Sequence, residues 1–92
     1  MSQGLEKNLF KELIYRATHR GMKELDVVLG EFALLKLRKM SSTEICAFKR
    51  LLEMEDGMLF KYIFREEEIP HDVNKQLLLR LRRYVRERPS NI

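Results

Sequence analysis

The side chains best suited to acid–base or recognition chemistry crowd into one stretch, ATHRGMKELD, residues 17–26. With Arg16 immediately before it, the stretch gathers Arg16, His19, Arg20, Lys23, Glu24 and Asp26 around Gly21. Both signs of charge surround a residue that has no side chain, so another backbone can approach closely while complementary charges fix its register. A carboxylate in that setting, Glu24, can make a recognition ion pair or shuttle a proton, and the ion pair accounts for it more simply. Local structure explains part of the pattern. Arg20 is expected to complement the negative end of a first helix, Gly21 to adopt a left-handed conformation just past it, and Glu24 to sit near the positive end of a second.

The remaining candidates offer little catalysis. His19 and His71 are the only histidines, no pair at i and i+4 can hold a metal, and no serine or cysteine stands in a nucleophile elbow. The chain is therefore read as no enzyme, with no catalytic residues and no metal. Cys46 is the single cysteine, unable to form an internal disulfide and expected as a small buried apolar residue on a helix. The run REEEIP lacks the alternating oxygen ligands and turn glycine of a calcium loop, and reads as a solvated acidic edge.

Helices must position these groups. Apolar spacing and punctuation mark five, and no stretch alternates with period two, so the expected fold is an all-α, compact five-helix bundle forming a single domain over residues 1–92. The first helix runs from about Leu5 to His19. The second, from about Lys23 to Lys39, carries Leu25, Val28, Leu29, Phe32 and Leu35 on one side and is apolar enough to be central; Gly30 within it signals close packing or a bend. Ser41 and Glu44 form a capping box for the third, with Ile45, Phe48, Leu51 and Leu52 as its buried face. Asp56 is placed to cap a short fourth helix through GMLFKYIF. Pro70 and Asp72 open the last, Pro89 stops it, and a basic tail from about residue 86 to 92 is expected to be loosely held.

Hydrophobic residues make up 45% of the chain and charged residues 35%, which excludes disordered and low-complexity classes. The longest apolar run, Phe32 to Leu35, falls far short of the ~20 residues of a membrane span. The opening MSQGLEKNLF resembles neither a secretory signal nor a transit peptide, so a bacterial cytoplasm is the expected location, or a mitochondrial matrix if a presequence has been removed. The net charge of +4 resides wholly in residues 72–92, where six Lys and Arg face two Asp and Glu. Such a helix suggests an alternative function, a small basic helical nucleic-acid-binding protein. A solubilising face is the simpler account, and ELDVVLGEFALL is too apolar and acidic to be a groove-reading helix, so no nucleic-acid partner is expected.

The stretch YRATHRGMKELDVVLGEF resembles the signature of the small FAD assembly factors of succinate dehydrogenase, Arg-Gly-x-x-Glu followed by Leu-Asp, here Arg20, Gly21, Glu24, Leu25 and Asp26. The resemblance continues through Phe32, Ser41, Glu44 and Phe48 to a second block, RLLEMEDGMLF, with Leu51, Leu52, Glu53, Asp56, Leu59 and Phe60 in register. Gly57 stands where that family usually has proline, and Tyr62 where it commonly has tryptophan. The resemblance implies a five-helix bundle that binds the flavoprotein subunit of succinate dehydrogenase, often also that of fumarate reductase, and promotes covalent attachment of FAD to a client histidine. It assigns client contact to Arg20, Gly21 and Glu24, with Arg16 and Asp26 as neighbours. No glycine-rich phosphate loop is present, so no cofactor is expected to be held stably by this chain itself, and a monomer without a membrane partner is expected.

Overall fold

Residues with apolar side chains every three or four positions become helices whose stripes converge on one core. A computed structural model describes residues 2–88, and side chains from Asn8 to Arg88. Its elements are α1 (Ser2–Thr18), α2 (Lys23–Lys36), a 3-10 turn (Leu37–Lys39), α3 (Ser42–Leu52), α4 (Asp56–Ile63) and α5 (Lys75–Glu87). No strand occurs among the described residues. The five helices expected from the sequence are all present. Leu5 and Pro89, which entered the expected first stripe and the last helix stop, lie outside the described side chains.

The second helix is central, contacting α1, α4 and α5. Its Leu25, Val28, Leu29, Phe32 and Ala33 are buried, and Phe32 meets the Phe48 ring at 6.1 Å and the edge of Tyr84 at 5.9 Å. Leu13 and Ala17 of α1, Leu51 and Leu52 of α3, Leu59 and Ile63 of α4, and Leu78 and Leu81 of α5 close around it. Each such side chain contributes roughly 1.5–3 kcal/mol by leaving water. Leu35 departs from its expected inward position and is exposed, while Leu37 is buried. The helix ends at Lys36, and the tighter 3-10 turn swings Leu37 into the core instead.

Close approach explains Gly30. A Cβ at that position would lie 2.6 Å from Thr18 Cγ2. Thr18 cannot rotate away freely, because its hydroxyl donates to the carbonyl of Ile14 at 2.8 Å. The glycine therefore lets α1 and α2 cross tightly rather than bend.

Capping follows the sequence at one helix and departs from it at two. Ser41 and Glu44 make the reciprocal capping box on α3, with Ser41 N–H donating to Glu44 Oε1 at 2.8 Å. The last helix starts at Lys75 instead of near Pro70, because Asn74 Oδ1 accepts from Leu77 N–H at 2.8 Å and caps it there. Asp56 does not cap α4; the preceding Glu55 holds the N-cap position without a side-chain hydrogen bond, and the Asp56 carboxylate is engaged elsewhere. Cys46 is exposed, contrary to expectation, because α3 turns Phe48, Leu51 and Leu52 inward and leaves position 46 on the outer side.

The basic last helix is braced from within. Arg82 donates to the carbonyls of Tyr62 and Glu67, both at 2.6 Å, and Arg86 pairs with Glu66 at 3.1 Å. These contacts hold the acidic segment against α5, so REEEIP is more than a solvated edge. Glu66 has φ 53, left-handed backbone that a residue with a Cβ adopts at a cost of roughly 1–2 kcal/mol. Arg86 and Glu87 complete α5, and Arg88 forks onto Glu31, Nη2 to Oε2 at 2.7 Å and Nε to Oε1 at 3.1 Å, with Tyr84 Oη donating to the same carboxylate at 2.7 Å.

Two sets of measurements test this packing. Gly30→Ala should lower stability by about 1–3 kcal/mol through overpacking against Thr18. Gly57→Ala, where a Cβ meets nothing within 4 Å, should raise it by about 0.4–1 kcal/mol; urea denaturation reads both. Arg88, then Tyr84, holds the Glu31 carboxyl below its ordinary value of 4.5, and the Ser41 backbone N–H does the same for Glu44. A carboxyl lowered in the fold contributes stability that is complete above its ordinary value and is lost as pH falls through the lowered one. The denaturation midpoint should therefore drop below pH 4.5, and Glu31→Gln should show a smaller drop over the same range; an unchanged drop would remove Glu31 from the account.

Candidate functional site

The elbow between α1 and α2 spans residues 19–22. Thr18 closes α1 by turning its hydroxyl back onto the carbonyls of Ile14 and Tyr15. His19 then stacks on Tyr15, ring centroids 3.8 Å apart and planes 19° from parallel, with Nδ1 2.8 Å from the Tyr15 carbonyl oxygen. Tyr15 is 61% exposed, so the pair forms an aromatic ledge beside the elbow. Spacing at i and i+4 on a helix end was the signal for it, but Tyr15 alone reads as an ordinary surface residue.

Arg20 departs most from expectation. Its side chain is only 10% exposed and points away from the corner into the joint between α3 and α4. Nε donates to Asp56 Oδ1 at 2.8 Å, Nη2 to the Met54 carbonyl at 2.6 Å, and Nη1 to the Leu52 carbonyl. The guanidinium thus satisfies carbonyls at the C-terminus of α3, where the helix dipole favours a cation, rather than serving the end of α1. The planar fork suits this task because its donors diverge toward separate acceptors.

Gly21 follows from the same contact. Its N–H donates to Asp56 Oδ2 at 2.6 Å, so the two carboxylate oxygens take consecutive residues of the elbow. A Cβ on residue 21 would lie 2.7 Å from that oxygen. No glycine has positive φ among the described residues, which corrects the expected left-handed conformation. Glycine is required here by proximity to a pinned carboxylate.

The other four signature and neighbouring residues distribute around this clamp. Asp26, half-buried, turns its Oδ1 back to the N–H of Arg20. Glu24 and Arg16 are half-buried, Lys23 is exposed, and none of the three has a side-chain hydrogen bond or ion pair among the described residues. Hydrogen bonds tie Gly21 and Asp26 into the elbow, Arg16 and Glu24 lie on the two helices that flank it, and the Arg20 side chain turns away into the α3–α4 joint. Asp56 belongs to the corner and was missed at the sequence level, where its place before a short helix suggested a cap.

No group of three or more metal-ligating side chains occurs among the described residues. The glycines at 4, 21, 30 and 57 are scattered along the sequence and form no glycine-rich phosphate loop. The basic helix is also largely committed: Arg80, Arg82, Arg86 and Arg88 have internal partners, and only Lys75 and Arg83 of that segment have none among the described residues. Cations already paired release fewer counterions on meeting a phosphate backbone. No helix among the described residues is long and apolar enough to cross a membrane.

The sequence matches, over residues 11–85, the family described as flavinator of succinate dehydrogenase. It is 29% identical over 83 residues to a protein of Dictyostelium discoideum named succinate dehydrogenase assembly factor 2, mitochondrial, a match covering 90% of this chain and 59% of that protein. A Caenorhabditis elegans protein of the same name is 34% identical over 76 residues, covering 79% of this chain and 64% of the relative. A Yersinia pseudotuberculosis protein named FAD assembly factor SdhE is 35% identical over 71 residues, covering 77% and 80%. The chain thus spans about three-fifths of the length of these two eukaryotic relatives. No solved structure matches it significantly.

The inward arginine has a measurable consequence. Arg20→Lys keeps the charge but cannot reach three acceptors at once, leaving buried carbonyls short of a donor. It should lower stability by about 2 kcal/mol or more by urea denaturation. A loss within the range of an exposed ion pair would contradict the placement.

Proposed function

Because this chain belongs to the family of flavinators of succinate dehydrogenase, we propose that it is an assembly factor that binds the flavoprotein subunit of that enzyme and promotes covalent attachment of FAD to a histidine of the subunit. The observation supporting this reading is the elbow, where an exposed glycine backbone is flanked by Glu24 and Arg16, charges that the fold itself leaves unpaired among the described residues. A carboxylate without an internal partner is available to an incoming cation, and a residue without a side chain lets a second backbone come near.

The reading needs no catalytic group on this chain. Holding a client so that its histidine and the flavin meet in reactive alignment contributes several kcal/mol by replacing a rare encounter with a near-attack arrangement, and Arg16, Gly21, Glu24 and Asp26 supply the docking contacts. Glu24 serves as a recognition carboxylate. FAD is the client's cargo, a reading supported by the scattered glycines, which form no phosphate loop in this chain's sequence. The flavoprotein subunit of fumarate reductase is a second client of the same kind. The protein works as a monomer where the flavoprotein is assembled, a bacterial cytoplasm or a mitochondrial matrix.

Co-expression with the flavoprotein subunit tests this directly, with covalent flavin read as fluorescence of the denatured polypeptide. The parent should raise that signal, and Glu24→Ala, which breaks no contact within the described fold, should reduce the effect about tenfold, the equivalent of one lost charged hydrogen bond. Gly21→Arg should abolish it. Fluorescence unaffected by the presence of the chain would refute the assembly role.

A further inference from the structure

The two sequence blocks that carry the family signal, residues 15–32 and 50–60, are separate along the chain, yet they meet in one place. Arg20 and Gly21 from the first block converge on Asp56 from the second, one on each carboxylate oxygen. We infer that Asp56 is the positioning residue of the docking corner, through which Arg20 and Gly21 act on the client without Arg20 touching it. The inference rests on the proposed docking role of the elbow.

Three observations carry it. First, the Arg20 guanidinium is occupied: Nε, Nη1 and Nη2 each have an acceptor in the α3–α4 joint, and the side chain is 10% exposed, so it has little to offer a visitor. Second, both N–H groups of consecutive residues are held by carboxylates, that of Arg20 by Asp26 and that of Gly21 by Asp56. The peptide plane between them is thereby fixed, and with it the direction in which the bare side of Gly21 faces. Glu24 is the second residue of α2, three positions after Gly21, so the same constraint bears on its place relative to Gly21. Third, the Asp56 carboxylate serves the elbow rather than its own helix: Asp56 is the first residue of α4, and both of its oxygens are taken by Arg20 and Gly21.

The geometry also says which substitutions are equivalent. A Cβ at residue 21 intrudes on Asp56 Oδ2, so Gly21→Ala displaces the carboxylate while Asp56→Asn removes one of its two acceptors. Either change frees the same peptide plane.

The experiment measures binding of purified full-length variants to the apo flavoprotein subunit, at a temperature where circular dichroism shows each variant folded. Asp56→Asn should bind at least tenfold more weakly than the parent. Combining Gly21→Ala with Asp56→Asn should weaken binding far less than the product of the two separate losses, because both release one clamp. A loss of stability alone would not lower the affinity of molecules that are already folded. Should Asp56→Asn fail to fold, Gly21→Ala takes its place, and parental affinity for that variant overturns the inference. Parental affinity for folded Asp56→Asn, with Glu24→Ala still weakened, overturns the positioning role and leaves the assembly role standing. Absence of binding by the parent removes the assembly role itself, and the inference with it.

Discussion

One ionic contact ties two of the molecule's joints together. The bond from Arg20 to Asp56 joins the α1–α2 elbow to the α3–α4 joint, and the guanidinium also takes the carbonyls that α3 leaves open at its end. Removing either partner leaves the other's charge in a partly buried setting with only neutral backbone groups to meet it, which is why the pair constrains the structure more than a surface ion pair would. The elbow's shape and the glycine at its centre are consequences of where that carboxylate has to be.

Charge elsewhere is used in the same structural way. Arg82 and Arg86 strap the acidic segment onto α5, Arg80 reaches Glu44 and lies over the Phe32 ring at 5.6 Å, and Arg88 forks onto Glu31. A helix that looks like a cationic surface in composition is thus a set of struts between α5 and its neighbours. The elbow shows the opposite pattern. Its Arg16, Lys23 and Glu24 are left without partners among the described residues, and this difference in pairing, rather than the density of charge, distinguishes a surface available for recognition from one consumed by folding.

Much of the fold was legible in sequence because period and punctuation are local. Ser41 and Glu44 announce their helix by type and spacing alone, and Gly30 inside an apolar run signals the close crossing that Thr18 turns out to impose. What the sequence hid depends on contacts between distant positions. Asp56 looks like a cap because local chemistry offers it that role, and only the fold reveals a stronger claim on it from residues thirty-five positions away. Arg20 looks like an exposed partner for the end of α1 for the same reason. Leu37 turns inward because the helix gives way there to a tighter 3-10 turn that shifts its phase, which no regular period anticipates, while Leu35, still in the regular helix, is left exposed. Within the candidate site, the residue types and their crowding were readable; which of them face outward was not.

The strut between Arg20 and Asp56 also imposes an order of events on the newly made chain. The opening hairpin of α1 and α2 can form from neighbouring residues, but its elbow cannot take its final shape until the joint beyond α3 arrives to hold it. A half-finished copy therefore lacks the finished elbow, and the shape of this corner depends on completion of the fold beyond α3.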